Sequence, residues 1–228
     1  MLVFKVVGTK KTFKIPQEWG EIKLQDYALF IDTITTLQNK LKEDEKEDCG
    51  LYELILSYRS LFNDIFEAFT GADSAIIEKI KAEDMYTVYN YMMSFLEEPD
   101  NIEIKSFKFK NKTYYLPKSK IDYFGNEMKM AEATFGEVVE AMQVQELDKT
   151  FADNNYKALP YQIAILCRPK GEAYDDQKVS ARAELFQELP MNIVWSIAFF
   201  LMRRRLKSLK ATLQSLKAAK ETSSMSTD

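Results

Sequence analysis

The side chains able to do chemistry are unevenly stocked. The chain carries 35 Asp and Glu, 31 Lys and Arg, 2 Cys and no His. Without histidine the commonest general base is missing, and with it every Ser-His or Cys-His nucleophile pair and the usual nitrogen ligands of zinc and iron. What remains is chemistry by carboxylates alone, as in glycoside or two-metal phosphate hydrolysis. The acids fall mostly on the polar faces of helical patterns or in charged runs. Lys42-Glu-Asp-Glu-Lys-Glu-Asp48 is such a run and reads as a solvated link. No glycine has phosphate-loop spacing. Cys167 lies in an apolar helical run and reads as a small core hydrophobe. Cys49 sits beside acids whose charge disfavours a thiolate, which makes it a poor nucleophile. No disulfide is expected, which fits a reducing cytoplasm. These residues predict a non-enzymatic protein with no catalytic residue, metal ligand or cofactor.

Two features are better suited to binding. Arg203, Arg204 and Arg205 are followed by Lys207, Lys210, Lys217 and Lys220, with no acid until Glu221. Within the same stretch Leu206, Leu209, Leu213 and Leu216 recur at spacings of three and four, giving an amphipathic helix with a basic opposite face. Such a helix can dock on a partner protein, pack within its own fold, or meet nucleic acid or an anionic membrane. The leucine stripe favours a protein groove. The net charge of −4 despite this basic segment also leaves complementary surface on sister copies. Partner binding through Arg203, Arg204, Arg205, Leu206, Leu209, Leu213 and Leu216, with self-association, is therefore expected over nucleic acid or membrane. The second feature is a load of 15 Phe, 12 Tyr and 10 Met. Methionines such as Met85, Met92, Met93, Met128 and Met130 suit adaptable binding faces.

The elements that must position these residues are mostly helical. Seven Gly and six Pro in 228 residues are few, which favours long helices over many short turns. No signal peptide is read at the N-terminus, and no apolar run approaches the roughly 20 residues that span a bilayer. Leu2 to Ile15 predicts a β-hairpin ended by Pro16, with Trp19 packing onto it. Helical spacing then predicts helices over 24–41, 51–69 stopped by Gly71, a short one after Asp73, and one over 83–96. After Glu97-Glu-Pro-Asp100 the pattern restarts. A second hairpin turns at Lys110-Asn111, and 118–130 is irregular with an extra strand near Glu127–Met130. Thr134 caps a helix carrying Phe135, Val138, Val139, Met142 and Leu147; helices over 159–168, 178–188 and from Pro190 to about Lys220 follow. Trp195, Phe199 and Phe200 are expected in the core.

Two segments repeat without a gap. Lys112-Thr-Tyr-Tyr-Leu-Pro117 overlays Lys11-Thr-Phe-Lys-Ile-Pro16, and Pro160–Arg168 overlays Leu51–Arg59. The fold predicted is mainly α with small β-hairpins (α+β). It comprises two pseudo-repeated hairpin-plus-helices halves, 1–99 and 100–205, and a basic helical tail, 206–228.

The run Thr12-Phe-Lys-Ile-Pro-Gln-Glu-Trp-Gly-Glu-Ile-Lys-Leu-Gln-Asp-Tyr27 resembles the start of small tail and virion proteins of bacteriophages infecting Bacteroidetes-type hosts. Leu159-Pro-Tyr-Gln-Ile-Ala-Ile-Leu-Cys-Arg-Pro169, Tyr174, Leu189-Pro-Met191 and Phe199-Phe200 are similar to later segments of that group. The resemblance spans roughly 12–202 and does not include the basic tail. It implies a tail assembly chaperone acting in the host cytoplasm by protein–protein interaction with phage tail or virion proteins. The alternative it implies is a structural or packaged component of the mature virion. The resemblance carries no catalytic residues over to this chain.

Overall fold

The computed structural model describes residues 2–5, 12–43, 50–72, 74–97, 99, 104–116 and 135–200. The fold is mainly α with two small antiparallel hairpins. The chain divides into two compact units. The first holds Met1–Asp100 together with Asn154–Lys157 and Gln187–Val194; the second holds the rest.

In the first unit, β1 (Leu2–Lys5) pairs antiparallel with β2 (Thr12–Ile15). A 3-10 turn at Trp19–Glu21 leads into α1 (Leu24–Glu43). Tyr27, Ala28, Phe30, Ile31, Ile34 and Leu37 are buried along α1, the three-and-four spacing that buries one face of a helix. The first-turn N–H groups of Leu24 and Gln25 have no partner within their own helix, and they donate to the carbonyls of Leu189 and Gln187 at 2.8 and 2.9 Å. The same late segment returns a bond from Met191 N–H to Ile22 O at 2.8 Å.

The expected helix over 51–69 is two helices, α2 (Leu51–Ser57) and α3 (Arg59–Thr70), broken where Tyr58 leaves helical geometry. The break separates two apolar sets that one straight helix would place on one stripe. Phe62, Ile65 and Phe66 go into the core beside α1, while Leu56 stays exposed. Gly71 ends α3 as expected, in the left-handed region at φ 66° with its N–H on Glu67 O. Then come α4 (Ser74–Ile77) and α5 (Ala82–Met93), and a 3-10 turn over Ser94–Leu96. The core is aromatic: Tyr27 meets Tyr156 edge-on at 5.0 Å and donates its hydroxyl to Phe95 O. Trp19 meets Tyr27 and Phe95 edge-on, so these helical rings are among its packing partners.

In the second unit β3 (Ser106–Phe109) and β4 (Lys112–Tyr115) are joined by Lys110 and Asn111, both at positive φ. That is the conformation a two-residue hairpin turn needs, and Asn adopts it readily. Phe107 and Tyr114 pair across the hairpin, stacked at 5.4 Å, and bury against Phe186. The helices are α6 (Phe135–Ala152), α7 (Leu159–Leu166), α8 (Asp176–Phe186) and, from Trp195 on, α9 (191–200). α7 is packed by both α6 and α8, and nearly every side chain on it is buried, which is why its sequence is apolar all round.

Several expectations change here. Met142 is 56% exposed, and among the described side chains of α6 the buried ones are Glu140, Val144, Leu147 and Thr150. α7 stops at Leu166; Cys167 is extended and Arg168 forms a β-bridge to Tyr115, as the position before Pro169 disfavours helix. Arg59, overlaid on Arg168 in the sequence, instead opens α3, so the backbone repeat does not hold at these two residues. Trp195 is buried, whereas Phe199 and Phe200 are only half-buried. The expected strand near Glu127–Met130, the Asp73 and Thr134 caps, and everything after residue 200 lie outside the described residues.

Candidate functional site

Two clefts are candidates, one in each unit. The second-unit cleft, about 350 Å³, is lined by Tyr115, Leu116, Glu140, Leu166, Arg168 and Glu172, among others. It is rich in charge. Glu140 on α6 pairs with Arg168, and their side chains are 5% and 20% exposed. Arg182 on α8 pairs with Glu172 and, through Nη1, donates to the carbonyls of Ala164 and Cys167 at 2.7 and 3.3 Å. Those carbonyls belong to the C-terminal end of α7, where a cation satisfies orphan acceptors and complements the helix dipole. Arg168 joins the hairpin through its backbone, with Tyr115 N–H on Arg168 O at 2.9 Å. Both arginines are thus used as ties between secondary-structure elements.

Other polar groups near α7 serve packing in the same way. Gln162 Nε2 donates to Thr150 Oγ1 at 2.8 Å, joining α7 to α6. Burial pushes the Cys167 thiol well above its ordinary value, so it stays protonated and inert, as expected for a core hydrophobe. The hydrogen bond to Asp176 raises Tyr174 to about 12, with burial contributing.

The first-unit cleft, about 190 Å³, lies between α2, α3, α4 and α5. Ile55, Ile77, Ile80 and Met85 supply apolar walls, and Leu56 and Tyr86 line it while being 62% and 41% exposed. Arg59 and Glu78, also on the lining, form an exposed ion pair at 3.2 Å. Asn63 also lines it, and Tyr89 completes the lining. Its side chain is fully buried against Phe62 and Phe66, yet its hydroxyl has no hydrogen-bond partner among the described residues. Burial raises its pKa strongly, opposed by the nearby Arg59 charge, so the phenol is a neutral donor.

The residues singled out from sequence as partner-binding, Arg203, Arg204, Arg205, Leu206, Leu209, Leu213 and Leu216, lie outside the described residues. Of the methionines picked out as binding surface, Met85 lines this cleft, whereas Met92 is fully buried core. Among the described residues no group of His, Cys, Asp and Glu is arranged to hold a metal ion, and no helix is long and apolar enough to cross a membrane. No family model, curated protein or solved structure matches the chain.

Proposed function

We propose that the chain is a non-enzymatic binding protein of phage morphogenesis, a tail assembly chaperone that covers apolar helices of a long tail protein before assembly. Such a helical chain exposes apolar stripes until it is packed, and aggregates without a cover. The observation that carries the reading is the first-unit cleft, where Leu56 and Tyr86 are exposed beside the apolar walls of Ile55, Ile77, Ile80 and Met85. A groove with aliphatic, aromatic and methionine lining is the receptor half of helix-in-groove recognition. Buried Arg182 and half-buried Arg168 of the second unit support the non-enzymatic part, because both are paired with carboxylates and Arg182 also donates to backbone carbonyls. The resemblance of 12–202 to phage tail and virion proteins supplies the biological setting.

The test is co-expression with the long helical tail protein of the same genome, followed by proteomics of purified particles. The expected result is a soluble complex during assembly, lost in Leu56→Asp, with the chain absent from mature particles. Abundant copies in purified particles would overturn the chaperone reading in favour of a structural or packaged virion component.

A further inference from the structure

We infer that the first-unit cleft takes the basic, leucine-striped segment 203–220 of a second copy of this chain. The inference rests on the groove reading of the cleft and names what covers that groove before the tail protein arrives. Leu56 and Tyr86 are 62% and 41% exposed beside the walls of Ile55, Ile77, Ile80 and Met85. At about 190 Å³ the cleft has room for one or two aliphatic side chains rather than a whole helix, since a cavity of about 150 Å³ holds benzene. A helix laid across it seats its apolar anchors in the cleft and keeps its backbone above the rim. Leu206, Leu209, Leu213 and Leu216 supply such anchors at helical spacing.

Charge commits the cleft to this occupant. Between Leu51 and Met93 the helices that build it carry seven acidic residues against three basic ones. Of the three cations, Arg59 is already held by Glu78 at 3.2 Å, and Lys79 and Lys81 are exposed. Glu53 on α2, Glu67 on α3 and Glu83 on α5 lie one helical turn from the lining residues Leu56, Asn63 and Tyr86. All three acids are exposed, and none has an ion-pair partner among the described residues. The segment 203–220 is the complement, with seven cations and no acid. At 3.6 residues per turn, Arg205 falls on one border of its leucine stripe and Lys210 and Lys217 on the other. With the leucines facing the cleft, a cation then stands over each acidic rim. Such exposed pairs add little affinity each and mainly orient the segment, while the leucines hold it. The source is a sister copy, because no glycine or proline follows Pro190 to turn the segment back on its own chain.

The test is light scattering on the full chain across a range of concentrations, at low and high salt. The mass should rise with concentration from one copy, 26.5 kDa, towards two or more, and less steeply at high salt, where exposed charges are screened. Leu56→Asp in the cleft and Leu209→Asp in the segment should each weaken self-association about ten- to a hundredfold, the range for one buried leucine. Leu56 is exposed, so its replacement leaves the first-unit core in place. Mixing Leu56→Asp copies with Leu209→Asp copies should restore a dimer, because one keeps the segment and the other keeps the cleft. Association unchanged in Leu56→Asp, or not restored by mixing, would overturn the cleft as the docking site. A mass of one copy at every concentration, with NMR amides of α5 that shift in Leu209→Asp, would overturn the sister-copy source in favour of the chain's own segment. One copy at every concentration and no shift would sink the inference outright, while loss of tail-protein capture in Leu56→Asp would still uphold the groove.

Discussion

Replacing Arg182 by Met should cost the second unit about 3–4 kcal/mol, because a buried cation with three separate partners is removed while its partners remain. Methionine keeps most of the aliphatic stem, so the loss is polar rather than a packing loss. Two of the orphaned acceptors are the carbonyls of Ala164 and Cys167, both on residues with no solvent exposure. Each costs about 1 kcal/mol or more without a donor. The third is Glu172, whose side chain is 22% exposed and can rehydrate in part, which limits its share to about 1 kcal/mol. Glu172→Gln alone, which retains an acceptor for Arg182, should therefore cost only about 1 kcal/mol. The double variant Arg182→Met/Glu172→Gln should cost no more than Arg182→Met, because the glutamine has nothing left to lose. The assay exploits the two tryptophans, which fall one in each unit: in a Trp19→Phe background, Trp195 fluorescence reports the second unit during urea unfolding. With a slope of about 2 kcal/mol per molar, Arg182→Met should lower the midpoint by about 1.5–2 M at unchanged slope. A shift below about 0.5 M, or strict additivity in the double variant, would refute the assignment of Arg182 as the cap of α7.

Phe199→Ala should cost about 1.5–2.5 kcal/mol, less than the 3–5 of a fully buried ring, because Phe199 is half-buried and stacks on Trp195 at 5.8 Å; urea unfolding followed by Trp195 fluorescence checks it. Tyr174, raised to about 12 by its bond to Asp176, contributes stability that is fully present below its unfolded value near 10 and is lost as pH rises towards 12. Alkaline unfolding curves of the parent should therefore fall more steeply across pH 10–12 than those of Tyr174→Phe, and parallel curves would remove Asp176 as the cause. Deleting 206–228 should leave both tryptophan-reported unfolding midpoints in place and change the mass seen by light scattering. An unchanged mass, together with salt-sensitive DNA binding by the full chain only, would replace the subunit-binding reading of the basic segment with a nucleic-acid one.

The parts of the fold legible in sequence are those where a single local rule decides. α7 was legible because it is apolar on every side, and Gly71 because a left-handed helix end favours glycine. The Lys110-Asn111 turn was legible from the break between two alternating runs. Less legible were positions where a polar residue belongs to the core. Glu140, Val144 and Leu147 follow helical spacing, but a count of apolar residues gives Glu140 no weight and gives exposed Met142 as much as buried Leu147. Arg182 shows what signal was available: it lies on one line with Val179 and Phe186, both buried, three and four residues away. The break at Tyr58 has neither glycine nor proline to announce it, and the cleft beside it depends on α4 and α5, which arrive about twenty residues later. The Tyr89 hydroxyl could not be found from sequence, since a tyrosine among apolar residues is ordinarily a satisfied core residue.

The carbonyls that complete the start of α1 belong to Leu189 and Gln187, more than 160 residues further along the chain. During synthesis α1 must therefore wait, with two first-turn donors still facing water, until residues 187–189 have left the ribosome. Tyr156, the ring that meets Tyr27, is also a late arrival. A nascent chain stalled at residue 100 would hold the first hairpin and helices without their closing pieces, and would be far easier prey to a protease than one stalled after residue 200. The first unit is closed by segments made long after its own helices, and the rate at which residues 100–190 are translated sets how long its aromatic core stands open.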